Sequence, residues 1–174
     1  GFLLKGLARS NIIKQCLIYS NKLYGIVINS ENGDNNRIIS NDISRTFISS
    51  GGGTGIYINY GDRNLVTGNR VHNNDNGGIH LYWTASSNTI SRNEVYSNDS
   101  PGGIILDPWA HENYIYTNHV WENTFEGIWL GTSLNVVESN YVFRNLQHGI
   151  RTMNSTNCRL VRNRVMDNDF IGIY

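Results

Sequence analysis

Asn113-Tyr114-Ile115-Tyr116-Thr117-Asn118-His119-Val120-Trp121-Glu122-Asn123-Thr124-Phe125-Glu126-Gly127-Ile128-Trp129-Leu130 sets three asparagines five residues apart and closes on a Gly-Ile pair. The same frame precedes Gly103-Ile104, with Asn88, Asn93 and Asn98. Gly-Ile pairs recur at Gly25, Gly55, Gly78, Gly103, Gly127, Gly149 and Gly172, at intervals of 22 to 30 residues. A fixed pattern returning at that interval means a solenoid, in which each repeat is one coil and stacks only on its neighbours.

Between the asparagines stand single apolar residues: Ile115, Val120, Ile128 and Leu130 in this coil, Ile90, Val95, Ile104 and Leu106 in the one before. Polar or aromatic residues fall between them. Two-residue alternation of β-branched and aliphatic side chains predicts strands, and no window carries a helical period. Asparagine, glycine and serine separate the runs, so each coil holds several short strands joined by tight corners. Strands of successive coils then stack in parallel, about 4.8 Å apart. Isoleucine and valine columns fill the interior. The asparagine columns, such as Asn69, Asn93, Asn118, Asn140 and Asn163, are expected at corners, with left-handed backbone and amides bonded along the column. The glycine column is expected at a second corner, with positive φ or a close backbone approach.

The Asn-x-Ile-x-x-Asn-x-Val-x-x-Asn-x-x-x-Gly-Ile pattern resembles the right-handed parallel β-helix family, shared by pectate lyases, alginate C5-epimerases, NosD-type proteins and phage tailspikes. The resemblance covers residues 1–174 and implies an all-β, single-stranded right-handed parallel β-helix of about seven coils in a single domain. Such a stack is roughly 34 Å long. The pattern is specific for fold and weak for function. The chain opens on Gly1-Phe2-Leu3-Leu4, which matches the strand after each glycine, and closes on Gly172-Ile173-Tyr174; both read as positions within a coil, as in a segment of a longer β-helix without its caps.

The formal net charge is zero and the pI is near 7.1. That offers no electrostatic footprint for nucleic acid, and no apolar run is long enough for a membrane-spanning helix. Extracellular, cell-surface or periplasmic placement is expected from the resemblance. Cys16 and Cys158 belong to the first and last full coils, too far apart for a disulfide, and each replaces a column asparagine. Asn98 and Asn154 begin sequon matches, although Asn98 belongs to a structural column.

With the core columns spoken for, function must lie on outward columns. After each glycine the second residues read Leu3, Val27, Tyr57, His80, Ile105, Trp129 and Arg151. The fourth read Lys5, Asn29, Asn59, Tyr82, Asp107, Gly131 and Met153, and Tyr60, Trp83, Trp109 and His111 lie just beyond. Aromatic faces beside fixed polar groups suit sugar rings, so Tyr57, Asn59, Tyr60, Trp83, Trp109 and Trp129 are candidate polysaccharide-binding residues. Register places Tyr82 beside Asp107 and His80 diagonal to it, within roughly 7–8 Å. The glycine-rich insertion Ser49–Thr54 could wall one end of the face, and Glu31–Asn35 reads as a solvated loop.

Asp107-Pro108-Trp109-Ala110-His111-Glu112 resembles the Asp-Pro-His-Glu/Asp stretch of alginate C5-epimerases, with Asp107 and Pro108 in place and His111 displaced by two residues. That family abstracts the C5 proton of a uronate and then reprotonates or eliminates. The chemistry needs a base, an acid and neutralisation of the substrate carboxylate. The candidates are His80 or His111 as base, Tyr82 as acid, Arg151 as neutraliser and Asp107 as orienting partner. The bland reading is that Asp107-Pro108 only opens a turn. Two-carboxylate glycoside hydrolysis fits less well, because Asp107 is the face's one carboxylate on its strand columns, with Asp62, Glu112 and Glu126 assigned to corners or the following segments. No cofactor is expected. A calcium site is weakly suggested by Asp75, Asp99 and Asp169, but Thr124 and Leu146 interrupt that column.

A second outward column, Tyr19, Ser44, His72, Tyr96, Trp121, Phe143 and Met166, is unusually apolar. A contiguous apolar stripe implies a covered surface, so self-association or packing through Tyr96, Trp121 and Phe143 is the competing expectation. Two functions stay open: a polysaccharide lyase, epimerase or binding protein, and a non-catalytic rod such as a filament, adhesin or tailspike segment.

Overall fold

A computed structural model of the chain describes residues 1–47 and 52–174. Among these there is no helix, and the strands form three parallel sheets of seven strands each. Every coil gives one strand to each sheet. The first sheet numbers the coils: Phe2–Lys5, Tyr24–Ser30, Thr54–Tyr60, Ile79–Tyr82, Gly102–Leu106, Glu126–Leu130 and Ile150–Thr152 are coils 1 to 7. The chain is thus the seven-coil solenoid that its period implies.

Like residues stack on like residues. Ile26, Ile56, Ile79, Ile104, Ile128 and Ile150 pair in register in the first sheet. The second sheet stacks Ile38, Val66, Ile90, Ile115 and Val137, and the third stacks Ile43, Val71, Val95, Val120 and Val142. All are fully buried in one continuous core. Each isoleucine or valine so placed contributes roughly 1.5–3 kcal/mol from burial.

The asparagine columns are buried, and their amides form ladders. Asn118 Oδ1 accepts from both the backbone N–H and Nδ2 of Asn93, at 3.0 Å each. Asn118 Nδ2 in turn donates to Asn140 Oδ1 and to the Ile90 carbonyl, both at 2.9 Å. One short side chain thereby satisfies a corner's buried backbone groups as well as its neighbour in the column. The left-handed backbone lies elsewhere than expected. It falls on the residue before the asparagine, as at Arg92 (φ 53°), Thr117 (φ 52°) and Ser139 (φ 54°). Asparagine is required here for its amide and not for its tolerance of positive φ.

Of the two expectations for the glycine column, close approach is the one found; none of its members has positive φ. A Cβ on Gly127 would stand 2.4 Å from Val142 Cγ1, 2.7 Å from the Gly149 carbonyl oxygen and 2.8 Å from Asn145 Nδ2. Cys16 and Cys158 are free. Of the insertion Ser49–Thr54, residues 49–51 lie outside the described residues.

The outward columns depart from simple alternation at Val27 and Ile105. Both are buried, yet neither joins the main core cluster. Gly77 and Pro101 lie over Ile105, since a Cβ on Gly77 would meet Ile105 Cδ1 at 3.1 Å and Pro101 Cδ at 3.3 Å. The outer face of the first sheet is therefore roofed at coil 5 on its upstream side.

Candidate functional site

Coils 3 to 5 carry a compact cluster on the outside of the first sheet. Register pairs Tyr57 with His80 and Asn59 with Tyr82. Asp107 follows the coil 5 strand, and its N–H donates to the Leu81 carbonyl at 3.0 Å, which extends the register by one residue. His80 Nε2 lies 2.8 Å from Asp107 Oδ2, and both side chains are largely buried. The diagonal relation read from the sequence is thus a direct contact. An ionised Asp107 accepts from Nε2–H, which leaves Nδ1 as the ring's free acceptor.

Aromatic rings enclose this pair. Tyr57 meets His80 edge-on with centroids 5.2 Å apart, and Tyr82 does so at 5.7 Å. Tyr24 stacks on the far side of Tyr57 at 4.9 Å. Burial pushes the Tyr57 phenol above the ordinary tyrosine range, and Tyr24, Tyr82, Asp107 and Tyr60 push it the same way. Tyr57 therefore stays neutral through the ordinary tyrosine range. At the adjoining corner, Tyr60, Trp83 and Trp109 form a stack with centroid spacings of 6.2 and 5.2 Å. Trp83 also meets Tyr82 edge-on at 5.8 Å, joining the stack to the His80 cluster.

Other candidates lie apart. Arg151 is three coils from His80, with Ile105 and Trp129 between them in register. Its Nη1 donates to Glu126 Oε1 at 2.7 Å, and its guanidinium covers Tyr174 at 5.8 Å. His111 turns toward the next corner, where its Nδ1 lies 2.9 Å from Thr132 Oγ1. Asn59 Nδ2 donates to Asn29 Oδ1 at 2.9 Å. Trp129 stands between Ile105 and Arg151, with its Nε1 buried and unpartnered among the described residues.

The sequence misplaces Glu126 and passes over Tyr24. Glu126 is not a corner residue: it opens the coil 6 strand, opposite Gly102, and is almost fully buried against Arg151. Tyr24 opens the coil 2 strand in the same way. Both directly precede the column glycine, and the outward columns were counted only from the residues after it.

The second outward column stands in the register expected of it. His72, Tyr96, Trp121 and Phe143 form one continuous stack, with centroids 4.8, 4.4 and 5.8 Å apart. Asp42 receives His72 Nε2 at 3.0 Å and Arg70 Nη1 at 3.1 Å at the end of this stack. No group of three or more His, Cys, Asp or Glu suited to a metal ion occurs among the described residues, and no helix there is long and apolar enough to cross a membrane.

Coil, register and amide ladders together define a parallel β-helix. The chain belongs to the family described as right-handed beta helix region, whose model matches residues 43–174. Among solved structures it is similar to a mutant of the periplasmic alginate epimerase AlgG, with a TM-score of 0.80 and 25% identity over 87% of this chain. The match spans 34% of that epimerase's length. The Dettilon tailspike protein shares the fold at a TM-score of 0.64 and 16% identity, over 94% of this chain and 41% of that one. An alginate lyase from Paenibacillus sp. str. FPU-7 does so at 0.54 and 9% identity, over 99% and 89%. No curated protein matches the sequence.

Proposed function

We propose that this chain is part of an extracellular or periplasmic β-helix protein that acts on polysaccharide, by lyase or C5-epimerase chemistry on a uronate chain. The observation that carries the reading is the His80–Asp107 contact of 2.8 Å, enclosed by Tyr57 and Tyr82 and flanked by half-exposed tryptophans. Similarity to an alginate epimerase at 25% identity supports the substrate class and the location.

In this reading Asp107 holds the His80 ring in one tautomer, and His80 Nδ1 removes the proton from C5 of a bound uronate. The Tyr82 hydroxyl delivers a proton to the opposite face, which inverts C5, or to the departing glycosidic oxygen, which gives elimination. The carboxylate of the sugar must be neutralised as charge builds at C5. Arg151 is the cation on the His80 column. It lies three coils from His80 and is paired with Glu126, so it meets a sugar bound toward coil 7 and does not neutralise the one over His80. His111, bonded to Thr132, orders the floor beside the tryptophans.

The test is incubation with polymannuronate and polygalacturonate, with C5 inversion followed by proton NMR and elimination by ultraviolet absorbance. Turnover that disappears in His80→Ala while the thermal melt is unchanged is the expected result. No turnover and no binding of any uronate polymer overturns the reading.

A second reading is favoured by the His72–Tyr96–Trp121–Phe143 stack, which lays four rings along one outer face. A rod that packs laterally through this face would bury it. Light scattering of the parent and of Trp121→Ser decides: equal monomeric mass for both sinks lateral packing.

A further inference from the structure

The Tyr60–Trp83–Trp109 stack stops abruptly, and the reason lies in corner length. Six residues, 107 to 112, separate Leu106 from Asn113 in coil 5, whereas four, 131 to 134, separate their register partners Leu130 and Asn135 in coil 6. The coil 6 corner is held close to the barrel, since Gly131 N–H donates to the Leu106 carbonyl at 2.8 Å and a Cβ at Gly131 would stand 3.6 Å from Pro108 Cδ. Its residues Gly131, Thr132 and Ser133 carry no ring. Trp109 therefore overhangs a step. One face of its indole is covered by Trp83, and among the described residues no ring covers the other. Its exposure of 54%, against 41% for Trp83, agrees with one open face.

The corner does not need these rings for its geometry. Tyr60, Trp83 and Trp109 all hold positive φ (80°, 49° and 78°), a backbone state unfavourable for bulky residues. In coil 1 Gly6 occupies the place after the strand with φ 70°. Tyr60 and Trp83 stand in the register of Gly6, so glycine satisfies their turn and their rings belong to the surface; Trp109 takes the same backbone state one place later in its corner.

We infer that the open face of Trp109 is a seat for one pyranose ring, which lies over the step at Gly131 as the next rung of the stack. This deepens the polysaccharide reading above and rests on it. The flat apolar face meets the C–H surface of the sugar. Polar groups belong to the same corners: the Asp107 carboxylate two residues before Trp109, and in the coil 6 corner the half-buried Ser133 hydroxyl, paired with Thr156 at 3.0 Å, while Thr132 is buried beneath and bonded to His111. A flat aromatic face beside fixed polar groups suits a sugar ring, and the zero net charge disfavours a nucleic acid. Because Trp109 follows Asp107 by two residues, a sugar seated here fixes the position of its neighbour relative to His80. Trp109 is thus a positioning residue for the chain rather than a catalytic one.

Calorimetric titration with an oligomannuronate, an oligogalacturonate and a neutral gluco-oligosaccharide tests this on the parent, Trp109→Ala, Trp109→Phe and Trp83→Phe. Trp109→Ala should weaken binding about tenfold. Trp109→Phe, which keeps a flat face, should stay within a few-fold of the parent. Tryptophan fluorescence should shift when sugar binds the parent and Trp83→Phe, and that shift should vanish in Trp109→Phe, a readout that holds even where Trp109→Ala folds poorly. Sugar binding by the parent that is unaltered in Trp109→Ala, or a shift that survives in Trp109→Phe, overturns the seat and leaves the polysaccharide reading intact. A parent that binds none of the three sugars overturns both.

Discussion

His80 and Asp107 are 27 residues apart in sequence, and their side chains meet at 2.8 Å across one coil step. The pair occupies a largely buried place between two tyrosines, so water competes poorly for either partner. Asp107→Asn keeps the shape but removes the charge, and its amide N–H can face Nε2 and so select the other His80 tautomer. We expect kcat on a uronate polymer to fall about 100-fold with little change in KM. An equal loss in KM alone would make Asp107 a binding group.

Tyr57 provides a pH test of the same cluster. Its folded pKa is raised above the unfolded value of about 10, chiefly by burial. The folded state therefore retains a proton that the unfolded chain releases, so this contribution is complete below about pH 10 and is lost as pH rises through the folded value. Thermal stability should decline on the alkaline side, and the decline should be shallower in Tyr57→Phe. Parallel curves for the two proteins would place Tyr57 in a more solvated site.

The ladder gives a sharper prediction for stability. Asn118→Ala strands the Asn93 N–H and removes the amide bond to the Ile90 carbonyl, and it takes one of two partners from Asn93 Nδ2 and from Asn140 Oδ1. Each buried unpaired group costs roughly 1–3 kcal/mol, so a loss of about 3 kcal/mol or more is expected in denaturant titration.

Gly127→Ala tests close approach separately from backbone freedom. Val142 could shift, but the Gly149 carbonyl at 2.7 Å is main chain in the next coil and cannot. A clear fall in Tm is expected, whereas Gly68→Ala (φ 66°), where no neighbour approaches a Cβ closer than 3.5 Å, should cost only the backbone strain, about 1 kcal/mol.

Arg151→Ala leaves the Glu126 carboxylate buried without its partner, at an expected cost of about 3 kcal/mol. Adding Glu126→Gln should recover part of that loss. Additive losses in the double variant would show that the two side chains act independently.

The surfaces differ in how far they could be read in advance. The third-sheet column Tyr96–Trp121–Phe143 was legible because each ring is a strand residue locked in register. Trp109 was legible only as an exposed aromatic. Register sets Pro108, not Trp109, opposite Trp83, and the two rings nevertheless stack across corners of equal length, 82–87 and 107–112. The strand positions of Tyr24 and Glu126 were not legible because these strands begin before the glycine.

The sequence by itself determined the period, and with it the coil, the core columns and the asparagine ladders. In a parallel stack, residues one period apart become neighbours about 4.8 Å distant whatever else happens. Only the tertiary structure decided which side chains cross between columns: His80 to Asp107, Arg151 to Glu126, Trp109 to Trp83 and no further. Those contacts depend on corner length and rotamer, and neither repeats with the period.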